Sequence, residues 1–192
     1  MNNSESTKTK QPDRPEQYIN WLIGKIKGKQ ADKGLAARLR RADNPATEYQ
    51  SWEVLAGFGI DLSRDWERLP YAAISAALTR SDQQVSGQIS LGQALAACYP
   101  DGADSEPAKA RLRRLLACRS VEELCRVLRP MLSLIDSKGG APLDYAALLR
   151  QTLRFGHGDE AAQQIKAQWA QDFYRRQQTA VQSGAGSEQV TA

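Results

Sequence analysis

Ala37, Arg38, Leu39, Arg40 and Arg41 are repeated, type for type, by Ala110, Arg111, Leu112, Arg113 and Arg114. Guanidinium groups grouped this densely suit one chemistry above others, the bidentate gripping of phosphate or carboxylate. Arg119, Arg126 and Arg129 follow the second copy closely. Five residues are too few for a structural repeat, so the echo marks two basic clusters on different segments.

Charge is laid out in blocks. The net charge is +4, but residues 8–41 hold ten Lys or Arg against three acids, and residues 42–104 hold three Arg against nine acids. Residues 105–129 return to seven bases against three acids, and residues 150–176 hold five against three. Basic blocks flanking an acidic one favour a polyanionic partner.

Other chemistry is missing its parts. The sequence contains no GxxxxGK[ST], GxGxxG or HExxH segment, so nucleotide-loop and zincin chemistry have no carrier. His157 stands alone in a Gly-His-Gly turn with no nucleophile to serve, and Cys98, Cys118 and Cys125 form no CxxC pair. The cysteines read as reduced, small apolar residues. Asp159 and Glu160, like Glu122 and Glu123, sit where first helical turns favour acids. The expectation is a protein that is not an enzyme and holds no metal and no cofactor. Trp21, Trp52, Trp66 and Trp169 could stack bases, although Trp21 and Trp169 lie among apolar residues at core spacing. No run approaches the roughly 20 apolar residues of a membrane span, and the N-terminus has no apolar leader, so a cytoplasmic protein is expected.

The elements that must carry the arginines are helices. Apolar residues recur at helical spacing from Pro15 to Gly28, and Asp32 caps a second helix ending near Asn44 and Pro45. Further helices are predicted over 46–57, 67–80 with Pro70 in the opening turn, 90–98, 105–118 and 120–137. Pro130 predicts a kink or break near Arg126 to Arg129. Two last helices run from Asp144 to Phe155 and from Gly158 to about Gln178. No segment alternates with β-branched enrichment, so strands are not expected. The predicted fold is all-α, a compact multi-helix bundle over residues 14–180, either one body or two small lobes parting at 100–107. Residues 1–13 and 181–192 are too polar to order themselves.

Helical phase turns the arginines outward. Leu112, Leu115 and Leu116 share one arc with Arg111, Arg113 and Arg114 opposite, while Leu124, Leu128 and Ile135 leave Arg126 and Arg129 together on a far face. Leu35 and Leu39 face in, placing Arg38 with Arg41 on one flank and Arg40 on the other. Arg38, Arg41, Arg111, Arg113 and Arg114 have no acid three or four residues away. Solvated or locally paired arginines are the commoner outcome on helices; these lack the local partners.

The order Gly34 to Arg41, Gly87 to Leu95, Arg111 to Leu116 followed by Val121 to Leu134, and Leu143 to Phe155 resembles the CasB family over about residues 16–175. Its most specific piece is Ile89-Ser-Leu-Gly-Gln-Ala-Leu95. CasB proteins are the small subunit of the type I-E CRISPR surveillance complex called Cascade. The resemblance implies a non-catalytic helical protein, present as two copies, that touches the backbone and large subunits, the guide RNA and the displaced strand of the target DNA. It implies nucleic-acid contacts at Arg40, Arg41, Arg111, Arg113, Arg114, Arg119 and Arg129, with Arg38 and Arg126 added from the helical reading. A second reading remains open here: a helical assembly adaptor whose basic faces meet acidic protein surfaces without binding nucleic acid.

Overall fold

The computed structural model describes residues 12–138 and 142–175. Of the expected disorder of residues 1–13 and 181–192, only Pro12 and Asp13 fall on described residues, and there Asp13 caps α1; the rest, and the predicted end of the last helix at Gln178, lie outside them. Among the described residues the chain forms nine α-helices: α1 Arg14–Ile26, α2 Lys33–Leu39, α3 Trp52–Gly57, α4 Asp65–Arg80, α5 Leu91–Ala97, α6 Glu106–Ala117, α7 Val121–Ser137, α8 Tyr145–Phe155 and α9 Asp159–Tyr174. An isolated parallel bridge, Ile89 to Leu143, is the sole extended pairing among these residues.

Most helix starts are written locally. Asp13, Asp32, Ser90, Ser105, Ser120 and Asp144 each accept a hydrogen bond from a backbone N–H of the first turn, which satisfies donors the helix itself leaves free. Ser90 and Gln93 complete a reciprocal capping box. At Ser120 the box is half-built: Glu123 Oε2 accepts instead from the backbone N–H of Arg119 at 2.8 Å.

α4 is the centre. Every residue from Pro70 to Thr79 is buried, as expected for a helix with no charged side chain over that run. It packs on α1, α2, α3, α7 and α8. Ser75 and Thr79, its two aliphatic hydroxyls, return hydrogen bonds to Tyr71 O and Ser75 O at 2.6 Å each, so the burial of these two leaves neither donor unmet. α9 packs on α5, α6 and α8, and Trp169 is fully buried there with its indole N–H donating to Gln151 Oε1 at 2.8 Å. Buried apolar residues from Tyr18 in α1 to Phe173 in α9 form one connected cluster.

Four predicted features shift. α2 stops at Leu39 rather than near Asn44, so Arg40 is its C-cap and Arg41 lies in the following turn. The predicted helix over 46–57 is a turn, a 3-10 segment at Glu48–Ser51, and then α3. α4 begins at Asp65, which places Pro70 beyond the first turn. α7 is not broken at Pro130 and continues to Ser137.

Candidate nucleic-acid interface

The described contacts gather six of the nine predicted arginines at two places, Arg40, Arg126 and Arg129 at one and Arg111, Arg113 and Arg114 at the other, and tie Arg38, Arg41 and Arg119 to neither. The first is the end of α2, where α2, α4 and α7 meet. Asp43, whose side chain is only 5% exposed, pairs with Arg80 at 2.6 Å and with Arg129 at 3.3 Å. Arg80 also donates to Arg40 O at 2.9 Å. Lys27, at the end of α1, donates to Ser81 O. Burial pulls the Lys27 ammonium below its ordinary 10.5 and the Arg40 charge pulls the same way, against the opposing carboxylates of Asp82 and Asp136. Lys27, Arg40, Arg80 and Arg129 therefore share one field, assembled from four separate segments.

The second place is the outer face of α6. Arg111, Arg113 and Arg114 are exposed, opposite the buried Ala108, Leu112 and Leu115. Arg111 lies over the Tyr99 ring at 5.6 Å and donates to Pro107 O at 3.3 Å, contacts that hold it above its own helix. Arg111 and Lys138 both act on the buried Cys98 thiol, lowering it against the larger upward push of burial. Lys138, at the end of α7, thus borders this face.

Spacing at i±3 and i±4 missed partners that distant segments supply to Arg38 and Arg129 and that its own helix, two turns back, supplies to Arg113. Arg38 pairs with Glu53 at 2.8 Å, Arg113 with Glu106 at 3.6 Å and Arg129 with Asp43. The expectation that Arg38 and Arg113 lack carboxylate partners is thereby corrected, because Glu53 and Glu106 reach them from outside the i±3 and i±4 window. The phase argument that set Arg41 beside Arg38 also fails, since α2 ends between them. Among the described residues no carboxylate lies within 4.0 Å of the guanidinium of Arg40, Arg41, Arg111, Arg114, Arg119 or Arg126, and all six are exposed.

A cavity of about 260 Å³ opens between the α2–α3 turn, α4 and α7. Arg126, Arg129 and Glu122 line it beside Asp43 and the small residues Ala42, Ala72 and Ala73. No sequence motif announced it, because its walls come from three distant segments. Of the tryptophans that could stack bases, Trp52 is 40% exposed, under Arg68 at 5.8 Å, and Tyr49, which no sequence pattern marked, is 59% exposed. Trp21 instead packs among Tyr18 and Phe58. No group of three or more His, Cys, Asp or Glu suited to a metal occurs among the described residues, and no helix there is long and apolar enough to cross a membrane.

The family model of CRISPR-associated protein Cse2 matches residues 35–174. The chain belongs to the Cse2 family, to which the CasB proteins belong. Its fold is similar to that of M. ruber CasB, with a TM-score of 0.67 at 23% identity over 85% of this chain and 93% of that one. CasB from Thermus thermophilus gives a TM-score of 0.67 at 22% identity, covering 83% of this chain and 97% of the other. A chain of a CRISPR RNA-guided surveillance complex gives 0.64 at 22% identity, covering 84% and 92%. At such identities the likeness concerns the fold. No curated protein matches the sequence. The Cse2 match covers both basic places except for Lys27, which it leaves outside together with α1.

Proposed function

We propose that this chain is the non-catalytic small subunit of a type I-E RNA-guided surveillance complex. In this role it sits in the cytoplasm beside the backbone and large subunits and a second copy of itself. Its exposed arginines hold the guide RNA–target DNA hybrid and the displaced strand by their phosphates. The observation that carries this reading is the set of six exposed, carboxylate-free arginines within the residues that match the Cse2 family. Exchange of a DNA duplex for an RNA–DNA hybrid is near balance, so a few phosphate contacts tip it. Because such contacts read backbone and not bases, binding is sequence-tolerant and steeply salt-dependent.

The test is Arg111→Glu combined with Arg114→Glu, on an outward face whose loss leaves the core untouched. Single-strand affinity should fall and the log–log salt slope should flatten by roughly 1.4, about 0.7 for each phosphate contact removed. R-loop lifetime in the assembled complex should shorten in parallel. Identical salt titrations for the double variant and the parent chain would refute the role of α6.

A further inference from the structure

The cavity between the α2–α3 turn, α4 and α7 has three features that belong together. Its inner wall is small and apolar, built from Ala42, Leu69, Ala72, Ala73 and Cys125. Burial pushes the Cys125 thiol up to about 12, in keeping with a dry wall. Its rim carries Glu122, Arg126 and Arg129 of α7, which are exposed, and the opposing turn adds two carboxylates that are already engaged, Asp43 with Arg129 and Arg80 and Glu48 with Arg68. Arg126 and Arg129 stand three residues apart and so share a face of α7. Its volume, about 260 Å³, lies just under the roughly 300 Å³ at which pockets for drug-sized ligands begin, so it has room for one small group.

We infer that this recess receives a single unpaired nucleobase bearing an exocyclic amine, extruded from a strand whose phosphates rest on Arg126 and Arg129. The inference rests on the backbone-binding role proposed above and adds a subsite to it. The cations supply the phosphate contacts and the apolar wall takes the ring face. Glu122 supplies the acceptor. Its Oε2 receives Ser120 Oγ at 3.0 Å, while its Oε1 has no partner among the described residues. A carboxylate at the rim accepts from the exocyclic amine of cytosine, adenine or guanine, whereas an unpaired thymine offers it only the ring N3–H, so an amine-bearing base is preferred over thymine rather than thymine being refused.

The experiment measures binding of the full chain to three labelled single strands: oligodeoxycytidine, oligothymidine and a strand of tetrahydrofuran abasic sites with the same phosphates. The parent chain should bind oligodeoxycytidine roughly tenfold more tightly than the abasic strand, with oligothymidine between them. Ala73→Leu fills the recess and should erase that difference while leaving the salt slope unchanged. If that variant melts early by circular dichroism, Glu122→Ala, which removes the acceptor outright, serves instead and should erase only the preference for cytosine over thymine. Arg126→Ala with Arg129→Ala should weaken all three strands alike. Equal binding of all strands by the parent chain, with the arginine variants weaker throughout, overturns the base subsite and leaves backbone binding standing. Unchanged binding by the arginine variants overturns the backbone role at this face. Loss of assembly with partner subunits in Ala73→Leu, with strand binding intact, assigns the recess to a protein side chain and overturns the inference.

Discussion

Asp43 and Arg80 meet fork to fork, with Nη1 3.1 Å from Oδ1 and Nη2 2.6 Å from Oδ2. The planar guanidinium matches the carboxylate, so both ends lose little freedom beyond what the fold already imposes. Arg129 takes a share of the same carboxylate. This buried acid therefore holds two cations in place and withholds part of their charge from any outside anion.

Asp43→Asn should move stability and binding in opposite directions. The loss of charge at a side chain only 5% exposed costs about 1–3 kcal/mol, read as a lower urea midpoint. Freed Arg129 should meanwhile tighten single-strand binding and steepen the salt slope by up to roughly 0.7. A variant weakened in both respects would show that Asp43 merely orders the site.

Tyr18 and Ser75 offer an asymmetric pair. Tyr18 Oη lies 2.6 Å from Ser75 Oγ, whose own hydrogen goes to Tyr71 O. Tyr18→Phe removes one donor and leaves Ser75 bonded, at about 1 kcal/mol. Ser75→Ala strands a fully buried phenol O–H, at about 2 kcal/mol. Denaturant unfolding of both variants checks the order, which reverses if Tyr18 finds another acceptor.

The helices, their caps and their inward faces were legible because they depend on near neighbours. Asp32, Ser90, Ser105 and Asp144 cap where their types predict, and Leu112, Leu124 and Leu128 point where phase sends them. Membership of the CasB family was legible too, from four ordered segments. What escaped was whatever long-range packing decides. The stop of α2 at Leu39 and the pairing of Arg38 with Glu53 or Arg129 with Asp43 join distant segments, and spacing within one helix carries no signal for them. The recess on α7 escaped for the same reason.

Gly92 and Gly24 should respond oppositely to alanine. A Cβ on Gly92 would stand 2.4 Å from Trp169 O and 2.6 Å from Phe173 N, where α5 meets the backbone of α9. Gly24, exposed on α1, would meet nothing within 4 Å. Gly92→Ala should cost about 1–3 kcal/mol and lower the melting midpoint by roughly 3–8 °C. Gly24→Ala should gain up to about 1 kcal/mol from helix propensity. Equal effects at both sites would deny the close approach of α5 and α9.

Alkali should unfold the protein earlier than neutral conditions suggest. Burial raises Tyr71 and Tyr145 from an ordinary 10.0 to about 12 and Cys125 from 9.0 to about 12, and raises Tyr18, Cys98 and Cys118 as well. The folded state keeps these protons longer than the unfolded chain does, so their stabilising effect is complete below about pH 9 and is lost as pH climbs toward 12. Urea midpoints should hold level from pH 7 to 9 and then fall. Tyr145→Phe should flatten the fall above pH 10 by up to about 1.4 kcal/mol per pH unit.

The encirclement of α4 governs how the chain can be made. Its uncharged stretch from Pro70 to Thr79 leaves the ribosome long before α7, which starts at Val121, and α8, which starts at Tyr145, have been translated. Until those later helices arrive, the nascent chain carries a greasy rod with no lid, the kind of surface that recruits chaperones. Truncation ahead of α8 should therefore yield insoluble material and no smaller working unit.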